Sequence, residues 1–514
     1  MAAAPGPAPA GAADATSART AWPPADPPRD AAVRVAFLHP DLGLGGAERL
    51  VVDAATALAG LRPARAGSAR HDAGRVDVAI VTAHYDESRC FPETRNELRG
   101  RVFAAGDWIP RHVLGGRFHV VLAVARTVWA AVACRDVVGG ADALVVDQVA
   151  YAVPLLRWLR VVPRTAPVVF YCHFPDSLLA PRRPGLLRRA YRAVLDAAEE
   201  SATGAADAVL VNSRFTEAEF RKAFPRLNRV RLTVLHPPCD ARGLRTTAPA
   251  REAFRTRAER VALEALAGGE RAFLLSLNRF ERKKGLAVAI RALALLLGRG
   301  SREVAPPPPP PDVWLVMAGG YDVRVSENVE HLEELKAAAA AEGVADRVVF
   351  VPSCTEHEKA LLLRSCRCLL YTPENEHFGI VPLEAGACAR PVVACNSGGP
   401  RESVRDGVTG FLVEPTPRAF ADACAAFLGV DGEARAREFG ERARDHVAAN
   451  FSRQAFGAQL LEVVQAERAR IAELLGRDVA HAPRRLVDWL RTALCAAVVV
   501  AVVVLLTGLD PAPT

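Results

Sequence analysis

Two successive series of short apolar segments constrain the fold of this chain more than any other feature of its sequence. The segments are rich in valine and isoleucine, and stretches with helical periodicity lie between them. Runs that are apolar on both faces are typical of parallel strands buried between two layers of helices. The predicted strands cover residues 33–39, 76–81, 143–146, 167–171 and 208–211 in the first series and residues 272–277, 313–317, 347–351, 368–371 and 391–394 in the second. The sequence therefore predicts an α/β protein with two doubly wound, Rossmann-like domains.

The length of the chain leaves room for two such domains and additional segments. We assign residues 33–240 to a first domain and residues 241–450 to a second domain. The hinge is placed at residues 236–240, where two prolines end a strand. Residues 305–312 form a proline-rich insertion that is predicted to be a polyproline II loop. A helix and linker at residues 451–485 follow the second domain.

The two ends of the chain differ in composition. Residues 1–32 are rich in alanine and proline and are predicted to be a disordered leader. Residues 492–509 are 18 consecutive uncharged residues. As a helix they span about 27 Å, close to the hydrocarbon thickness of the endoplasmic reticulum membrane, and we predict a transmembrane anchor there. Basic residues flank this segment only on its N-terminal side, at Arg484, Arg485 and Arg491, which by the positive-inside rule places the body of the chain in the cytosol.

The composition argues against several other classes of protein. A net charge of +7, with 24% charged and 6% aromatic residues, gives little support to nucleic-acid binding, which needs clustered basic residues or stacking aromatic side chains. The 11 cysteines are an odd number without any C-x-x-C pair, so neither a zinc site nor a disulfide framework is indicated. Buried free thiols in a reducing compartment are the expected interpretation.

A glycine-rich loop follows the first predicted strand. Gly43, Gly45 and Gly46 lie between this strand and the next helix, where backbone amides and the helix N-terminus favour a phosphate. A plain tight turn is the alternative interpretation. A dinucleotide-binding loop has a third glycine in the pattern G-x-G-x-x-G, whereas Glu48 occupies that position here. This departure disfavours an NAD-dependent oxidoreductase.

Two loops of the second domain carry charged residues just after strands. Arg279 and Lys284 suit a diphosphate group, although a solvated basic loop has the same pattern. Glu376 lies in a later loop, and Glu384 lies on the helix that follows it, so both carboxylates can face one cleft. Carboxylates at such positions accept hydrogen bonds from sugar hydroxyls or transfer protons, and the first amides of the helix are available to an anion.

Seven motifs, in the order of the chain, resemble those of the retaining GT-B glycosyltransferases of family 4. They are GLGGAERLV, CHFPDSLL, VNSRFT, SLNRFERKKGL, NEHFGIVPLEA, NSGGPRESV and TGFLVEP. Within that family the chain is most similar to the asparagine-linked-glycosylation mannosyltransferases, which add α-1,3- and α-1,6-linked mannose to dolichol-linked oligosaccharide. The similarity covers about residues 33–475 and implies a GT-B fold, in which two Rossmann-like domains face a cleft. It implies that the domain at residues 33–240 is on the acceptor side and that the domain at residues 241–450 binds the nucleotide sugar.

The resemblance also implies roles for individual residues. Arg279 and Lys284 hold the diphosphate of the donor and neutralise it as it leaves. Glu376 contacts the donor sugar, and Glu384 binds the nucleotide ribose. His173 helps to place the acceptor and the transferred sugar. The other donor-binding positions implied by the resemblance are Gly45, Gly46, Phe378, Gly379, Ile380 and Val381.

The implied reaction is transfer of mannose from GDP-mannose to a dolichyl-diphosphate-linked oligosaccharide, with retention, on the cytosolic face of the endoplasmic reticulum. No metal or other cofactor is expected, because basic residues and helix amides stabilise the leaving diphosphate and the sequence contains no D-x-D pair. Other enzymes that extend lipid-linked oligosaccharides are candidate partners. The alternatives are a family-4 transferase with another nucleotide sugar or lipid acceptor, and a non-catalytic membrane scaffold.

A basic segment of the first domain is predicted to contact the membrane surface. Arg182, Arg183, Arg188 and Arg189 alternate with apolar residues, and each arginine near an anionic leaflet contributes about 1 kcal/mol. Residues 118–134 are strongly apolar but contain two basic residues, so we predict a core or interfacial helix there rather than a second membrane span.

Overall fold

The apolar runs form two parallel sheets, as predicted. The computed structural model describes residues 22, 33–61, 76–111, 119–179, 186–240, 244, 272–299 and 313–476. The predicted leader apart from Trp22, the proline-rich insertion at 305–312 and the anchor at 492–509 lie outside the described residues. Among the helices of the described part, none is long and apolar enough to span a bilayer.

The chain divides into two compact units that are not contiguous in sequence. The first unit comprises residues 1–171, 182–209 and 462–514, and the second comprises residues 172–181 and 210–461. Residues 210–240, which the sequence analysis assigns to the first domain, therefore group with the second unit. The segment 172–181, which contains His173, also belongs to the second unit.

The first sheet has seven strands in the order β3-β2-β1-β4-β5-β6-β7. The strands are β1 Val33–His39, β2 Val76–Thr82, β3 Val102–Ala104, β4 Ala143–Asp147, β5 Val168–Cys172, β6 Ala208–Val211 and β7 Leu232–Val234. The helices along this part of the chain are α1 Gly46–Ala59, α2 Pro92–Arg95, α3 His119–Ala133, α4 Arg135–Gly139, α5 Ala152–Trp158, α6 Asp176–Leu179, α7 Leu186–Thr203 and α8 Arg214–Ala223. The five predicted strands are confirmed, and β3 and β7, of three residues each, are additional.

The second sheet has six strands in the order β10-β9-β8-β11-β12-β13. The strands are β8 Ala272–Leu277, β9 Val313–Gly319, β10 Val348–Pro352, β11 Cys368–Tyr371, β12 Val392–Cys395 and β13 Gly410–Val413. The helices are α9 Ala287–Leu296, α10 Ser326–Ala341, α11 Glu356–Ser365, α12 Val381–Ala387, α13 Pro400–Ser403, α14 Pro417–Ala425, α15 Gly432–Asn450 and α16 Arg453–Gly476. Alternate strand residues enter two apolar clusters: Leu274 lies in one, and Phe273 and Leu275 lie in the other. Burial on both faces explains why these strands read as continuous apolar runs.

Each sheet contains a point where the strand order reverses, which is where doubly wound folds bind their ligands. In the first sheet this point lies between β1 and β4, and a buried pair occupies the strand ends, with His39 Nδ1 2.8 Å from Asp147 Oδ2. In the second sheet it lies between β8 and β11. The loop with Arg279 and Lys284 follows β8, and the loop with Glu376 follows β11.

Three further predictions concern the described residues. The segment 118–134 contains helix α3, whose Arg126 is buried and whose Trp129 is exposed. Within the described part of the chain all ten cysteines are free thiols; eight are buried, as predicted, whereas Cys354 and Cys388 are half-buried. In the predicted leader, the Trp22 indole donates a hydrogen bond of 2.8 Å to the Val137 carbonyl.

Candidate active site

Lys284 is buried at the carboxyl end of β8. It ends a single 3-10 turn, and Gly285 follows with a left-handed φ of +61°. The Thr372 hydroxyl, just after β11, donates a hydrogen bond of 2.8 Å to the Lys284 carbonyl. This contact between neighbouring strand ends fixes the backbone of the lysine, and its ammonium donates a hydrogen bond to the Glu376 carboxylate.

Glu376 is an ionised carboxylate with two strong partners. Burial alone would raise its pKa, but the Lys284 ammonium outweighs burial and holds the pKa of Glu376 below its ordinary value. The second partner is the Tyr371 hydroxyl. Burial and the adjacent Glu376 charge raise the pKa of Tyr371 well above its ordinary value, so the phenol stays protonated. Lys284, Glu376 and Tyr371 therefore form one charged, hydrogen-bonded cluster.

Gly379 lies directly over this cluster and has a left-handed φ of +80°. A Cβ at this position would lie 2.8 Å from the Tyr371 hydroxyl oxygen. Glycine is therefore required both by the backbone conformation and by the space left by the tyrosine.

The NSGGP motif supports the backbone of the loop at residues 372–380, between β11 and α12, which we call the Glu376 loop. The Gly399 amide donates a hydrogen bond of 2.8 Å to the Glu376 carbonyl. A Cβ on Gly399 would lie 2.2 Å from the Phe378 Cα. Only a glycine allows this close approach of two backbone segments, and this explains why the motif has a glycine at position 399.

His377 is a site residue that the sequence analysis did not assign. Its ring stacks on Phe174 with centroids 3.7 Å apart and planes 6° from parallel. Burial lowers its pKa, Glu376 acts in the opposite direction, and the positive charges of Lys284 and His173 lower it further. The imidazole is therefore favoured in its neutral form. His377 lies in the NEHFGIVPLEA motif, directly after Glu376. Its stacking on Phe174 depends on a segment far away in sequence and could not be predicted from the motif.

The VNSRFT motif joins His173 and His377 to the same unit. The Asn212 side chain donates a hydrogen bond of 3.1 Å to the His173 carbonyl. The Ser213 hydroxyl donates to the His377 carbonyl and also accepts from the Thr216 amide, which caps helix α8. The predicted site residue His173 therefore lies beside the Glu376 loop.

A third segment is connected through Glu402 of α13. Its carboxylate accepts hydrogen bonds of 2.9 Å from the Arg214 amide and lies 2.8 Å from His236 Nε2. Burial would raise the pKa of Glu402, but these contacts hold it below its ordinary value. Glu402 thus binds the first turn of α8 to the loop that follows β7.

Glu384 lies in the first turn of α12, as the sequence indicates. This helix begins at Val381, and its N-cap residue Ile380 provides no side-chain cap. The Glu384 carboxylate is not isolated, because Lys359 Nζ of α11 lies 3.1 Å from its Oε1. Lys359 is a second residue that the sequence analysis did not assign. The donor-binding positions expected at Phe378, Gly379, Ile380 and Val381 form the loop and first residue that lead into α12.

Arg279 lies at the end of β8 but has a different environment from Lys284. Its side chain is 63% exposed, and its Nη1 lies 2.7 Å from Glu281 Oε1. Lys283 also contacts Glu281, at 3.2 Å. The guanidinium of Arg282 binds two glutamates of α10. Among the described residues of this loop, Lys284 is the one whose side chain contacts Glu376.

The glycine loop of the first unit begins helix α1. Gly45 is the N-cap residue in an extended conformation, and it provides no side-chain cap for the helix that starts at Gly46. The Glu48 carboxylate lies against Gly45, since a Cβ there would be 2.2 Å from its Oε2. Asp41, at the start of the loop, is ion-paired with the buried Arg126.

The predicted membrane-surface arginines are only partly within the described residues. Arg182 and Arg183 lie outside them, and Arg188 and Arg189 fall in helix α7. The membrane contact of these residues stays a prediction. Within the described residues, no group of three or more histidine, cysteine, aspartate or glutamate side chains is placed to bind a metal ion.

Comparison with known proteins identifies both halves of the chain. The profile of the family described as Glycosyltransferase Family 4 matches residues 44–242, and that described as Glycosyl transferases group 1 matches residues 263–446. Among solved structures, sucrose-phosphate synthase from Thermosynechococcus elongatus has a TM-score of 0.60 at 20% identity and covers 85% of this chain and 100% of its own. Anabaena HepE in complex with UDP and glucose has a TM-score of 0.56 at 19% identity and covers 84% and 100%. The fold is therefore GT-B.

Relatives of higher identity cover most of the chain. Alpha-1,3/1,6-mannosyltransferase ALG2 of Homo sapiens is 43% identical over 442 residues, which cover 84% of this chain and 95% of that protein. The ALG2 protein of Saccharomyces cerevisiae is 38% identical over 401 residues, which cover 73% of this chain and 72% of that protein. This chain therefore belongs to the ALG2 family of alpha-1,3/1,6-mannosyltransferases.

Proposed function

We propose that this protein transfers mannose from GDP-mannose to a dolichyl-diphosphate-linked oligosaccharide and makes one α-1,3 and one α-1,6 linkage with retention. The single observation that supports this most directly is the cluster of Lys284, Glu376 and Tyr371 at the point where the second sheet reverses its strand order. The choice of mannose and of the two linkages is inferred from the family to which the chain belongs. The cluster contains a cation that suits the diphosphate and a carboxylate that suits the sugar.

The diphosphate is stabilised by positive groups of the second unit. Thr372 holds the Lys284 backbone at the strand end and Glu376 holds its ammonium, so little reorganisation is needed when a negatively charged group arrives. Arg279, exposed at the same strand end, adds a guanidinium that can bind phosphate oxygens through two N–H groups. The backbone amides that precede α12 supply further donors. These groups provide the charge stabilisation that makes a metal ion unnecessary in this proposal.

The proposed chemical step exchanges one glycosidic bond for another on the same face of the sugar. The bond between the mannose anomeric carbon and the β-phosphate oxygen breaks, and a bond to the acceptor hydroxyl oxygen forms. The hydroxyl proton passes to the departing diphosphate, which leaves as GDP. Glu376 accepts hydrogen bonds from mannose hydroxyls, and the neutral His377 contacts the sugar without adding a positive charge. His173, beside it, contacts the acceptor.

The proposed location is the cytosolic face of the endoplasmic reticulum membrane. The apolar segment at residues 492–509 serves as the anchor, and the arginines on its N-terminal side keep the catalytic units in the cytosol. Other enzymes that extend the same lipid-linked oligosaccharide are the proposed partners at this membrane.

A reconstitution with purified full-length protein tests the proposal. The protein is incubated with a lipid-diphosphate trisaccharide and GDP-mannose, with GDP-glucose and UDP-GlcNAc as controls, and the products are weighed by mass spectrometry. We expect a product two hexoses heavier with GDP-mannose alone. Transfer from UDP-GlcNAc instead, or no transfer from GDP-mannose, would overturn the proposal.

A further inference from the structure

We propose that Lys359 is a positioning residue that orients the Glu384 carboxylate toward the ribose of the nucleotide donor and so determines how well the site recognises ribose hydroxyls. This inference rests on the proposed function, in which Glu384 binds the ribose. It adds a residue from a different helix, α11, to the donor site. No sequence motif of the chain marks this residue.

The contact between Lys359 and Glu384 is sheltered from solvent. Lys359 Nζ lies 3.1 Å from Glu384 Oε1, and the two side chains are 19% and 15% exposed. An ion pair in such surroundings is screened much less than a pair on the open surface. It therefore restricts the carboxylate to one orientation more strongly than a surface pair would.

Lys359 also has a second carboxylate partner, Glu356, one turn earlier on the same helix. The two groups are 2.7 Å apart, but the Glu356 side chain is 87% exposed. Burial would lower the pKa of Lys359, whereas the charges of Glu384 and Glu356 outweigh burial and raise it. The lysine is thus a permanent cation shared between one sheltered and one exposed carboxylate.

This arrangement suits recognition of a diol. Neighbouring hydroxyls of a ribose donate to the oxygens of one carboxylate, and the geometry is productive only if the carboxylate plane is fixed. The contact between Lys359 Nζ and Oε1 fixes that plane and thereby also orients Oε2 of Glu384.

Binding of GDP and of 2′-deoxy-GDP to the full-length protein tests the inference. The wild-type protein is expected to bind GDP more tightly than the deoxy nucleotide. K359M should weaken GDP binding by about tenfold and the deoxy nucleotide much less, so that the ratio of the two dissociation constants approaches one. E384Q should give the same ratio, and the double variant K359M/E384Q should add no further loss, because the residues act on the same hydroxyl.

The matched control is E356Q, which removes the exposed partner of the same lysine and should leave the ratio unchanged. If K359M folds poorly, K359Q is used in its place to compare the dissociation constants of the two nucleotides. A purely structural role would lower the thermal midpoint and weaken both nucleotides equally, and that outcome would overturn the inference. The inference would also be overturned if the ratio of the two dissociation constants stayed at its wild-type value in K359M but approached one in E384Q. A wild-type protein that binds GDP but transfers no mannose would overturn the proposed function alone.

Discussion

The Lys284 ammonium donates a hydrogen bond to the Glu376 carboxylate, although the two residues are 92 positions apart in the chain. Their strands, β8 and β11, are neighbours in the second sheet, so the pairing follows from the order of the strands. The pair brings a cation and a carboxylate together at the ends of two neighbouring strands.

Removing either member of the pair should mainly reduce turnover. In E376Q the buried Lys284 ammonium loses its counter-charge, and the sugar loses a charged acceptor, so we expect kcat to fall by about 100-fold or more. K284A should show a loss of similar size. Steady-state kinetics with GDP-mannose measures both. K283A is the matched control, because that side chain is 67% exposed and contacts Glu281. A K283A enzyme as slow as K284A would contradict this assignment.

Substitution of Gly379 should destabilise the second unit. G379A places a Cβ at a left-handed φ and 2.8 Å from the Tyr371 hydroxyl, and we expect a loss of about 1–3 kcal/mol in the free energy of unfolding. Urea unfolding measures it. G343A tests backbone strain alone, since Gly343 also has a positive φ but nothing within 4 Å of the added Cβ. Equal losses in the two variants would show that the tyrosine contact is unimportant.

The free energy of unfolding, measured as a function of pH, should reveal the neutral state of His377. Its pKa is lowered in the folded protein, so the folded state binds this proton less readily than the unfolded chain does. The resulting stabilisation is present above the ordinary histidine pKa of about 6.5 and is lost as the pH falls through the lowered value. We expect H377Q to flatten this acidic decline in the free energy of unfolding between about pH 5 and 7. An unchanged decline in H377Q would assign it to another group.

Loss of the Glu402 carboxylate should uncouple α8 from the rest of its unit. E402A removes the acceptor for the Arg214 amide and the partner of His236, and we expect a loss of about 2–4 kcal/mol in the free energy of unfolding. Because the pKa of Glu402 is lowered, its contribution is present above the ordinary carboxyl pKa and disappears as the pH falls through the lowered one. E433A is the matched exposed control, since the Glu433 side chain is 62% exposed. Similar losses in both variants would contradict the assignment.

Much of the fold could be predicted from the sequence because the strands are buried on both faces. All ten predicted strands are present within a few residues of their expected ends. The strands β3 and β7, of three residues each, are too short to establish a pattern, and β13, of four residues, was also not predicted. The division into units could not be predicted either, because it depends on contacts between segments that are far apart in sequence.

The positions of Lys284 and Glu376 at neighbouring strand ends could be predicted from the sequence, and their roles stay predictions. Lys284 and Glu376 each follow a strand, and the order of parallel strands brings their ends together. His377 and Lys359 were missed for a different reason. His377 stacks on Phe174, and Lys359 of α11 contacts Glu384 of α12. Neither contact can be predicted from a local sequence pattern.

The second unit is built from two separate stretches of chain, residues 172–181 and 210–461. A fragment that begins at residue 241 would therefore lack Phe174, which stacks on His377, and Ser213, which holds the His377 carbonyl. During synthesis, the residues that support the Glu376 loop leave the ribosome long before the loop itself. Chimaeras that exchange the second unit between relatives should therefore carry both stretches together, because a single junction at residue 240 would separate the Glu376 loop from Phe174 and Ser213.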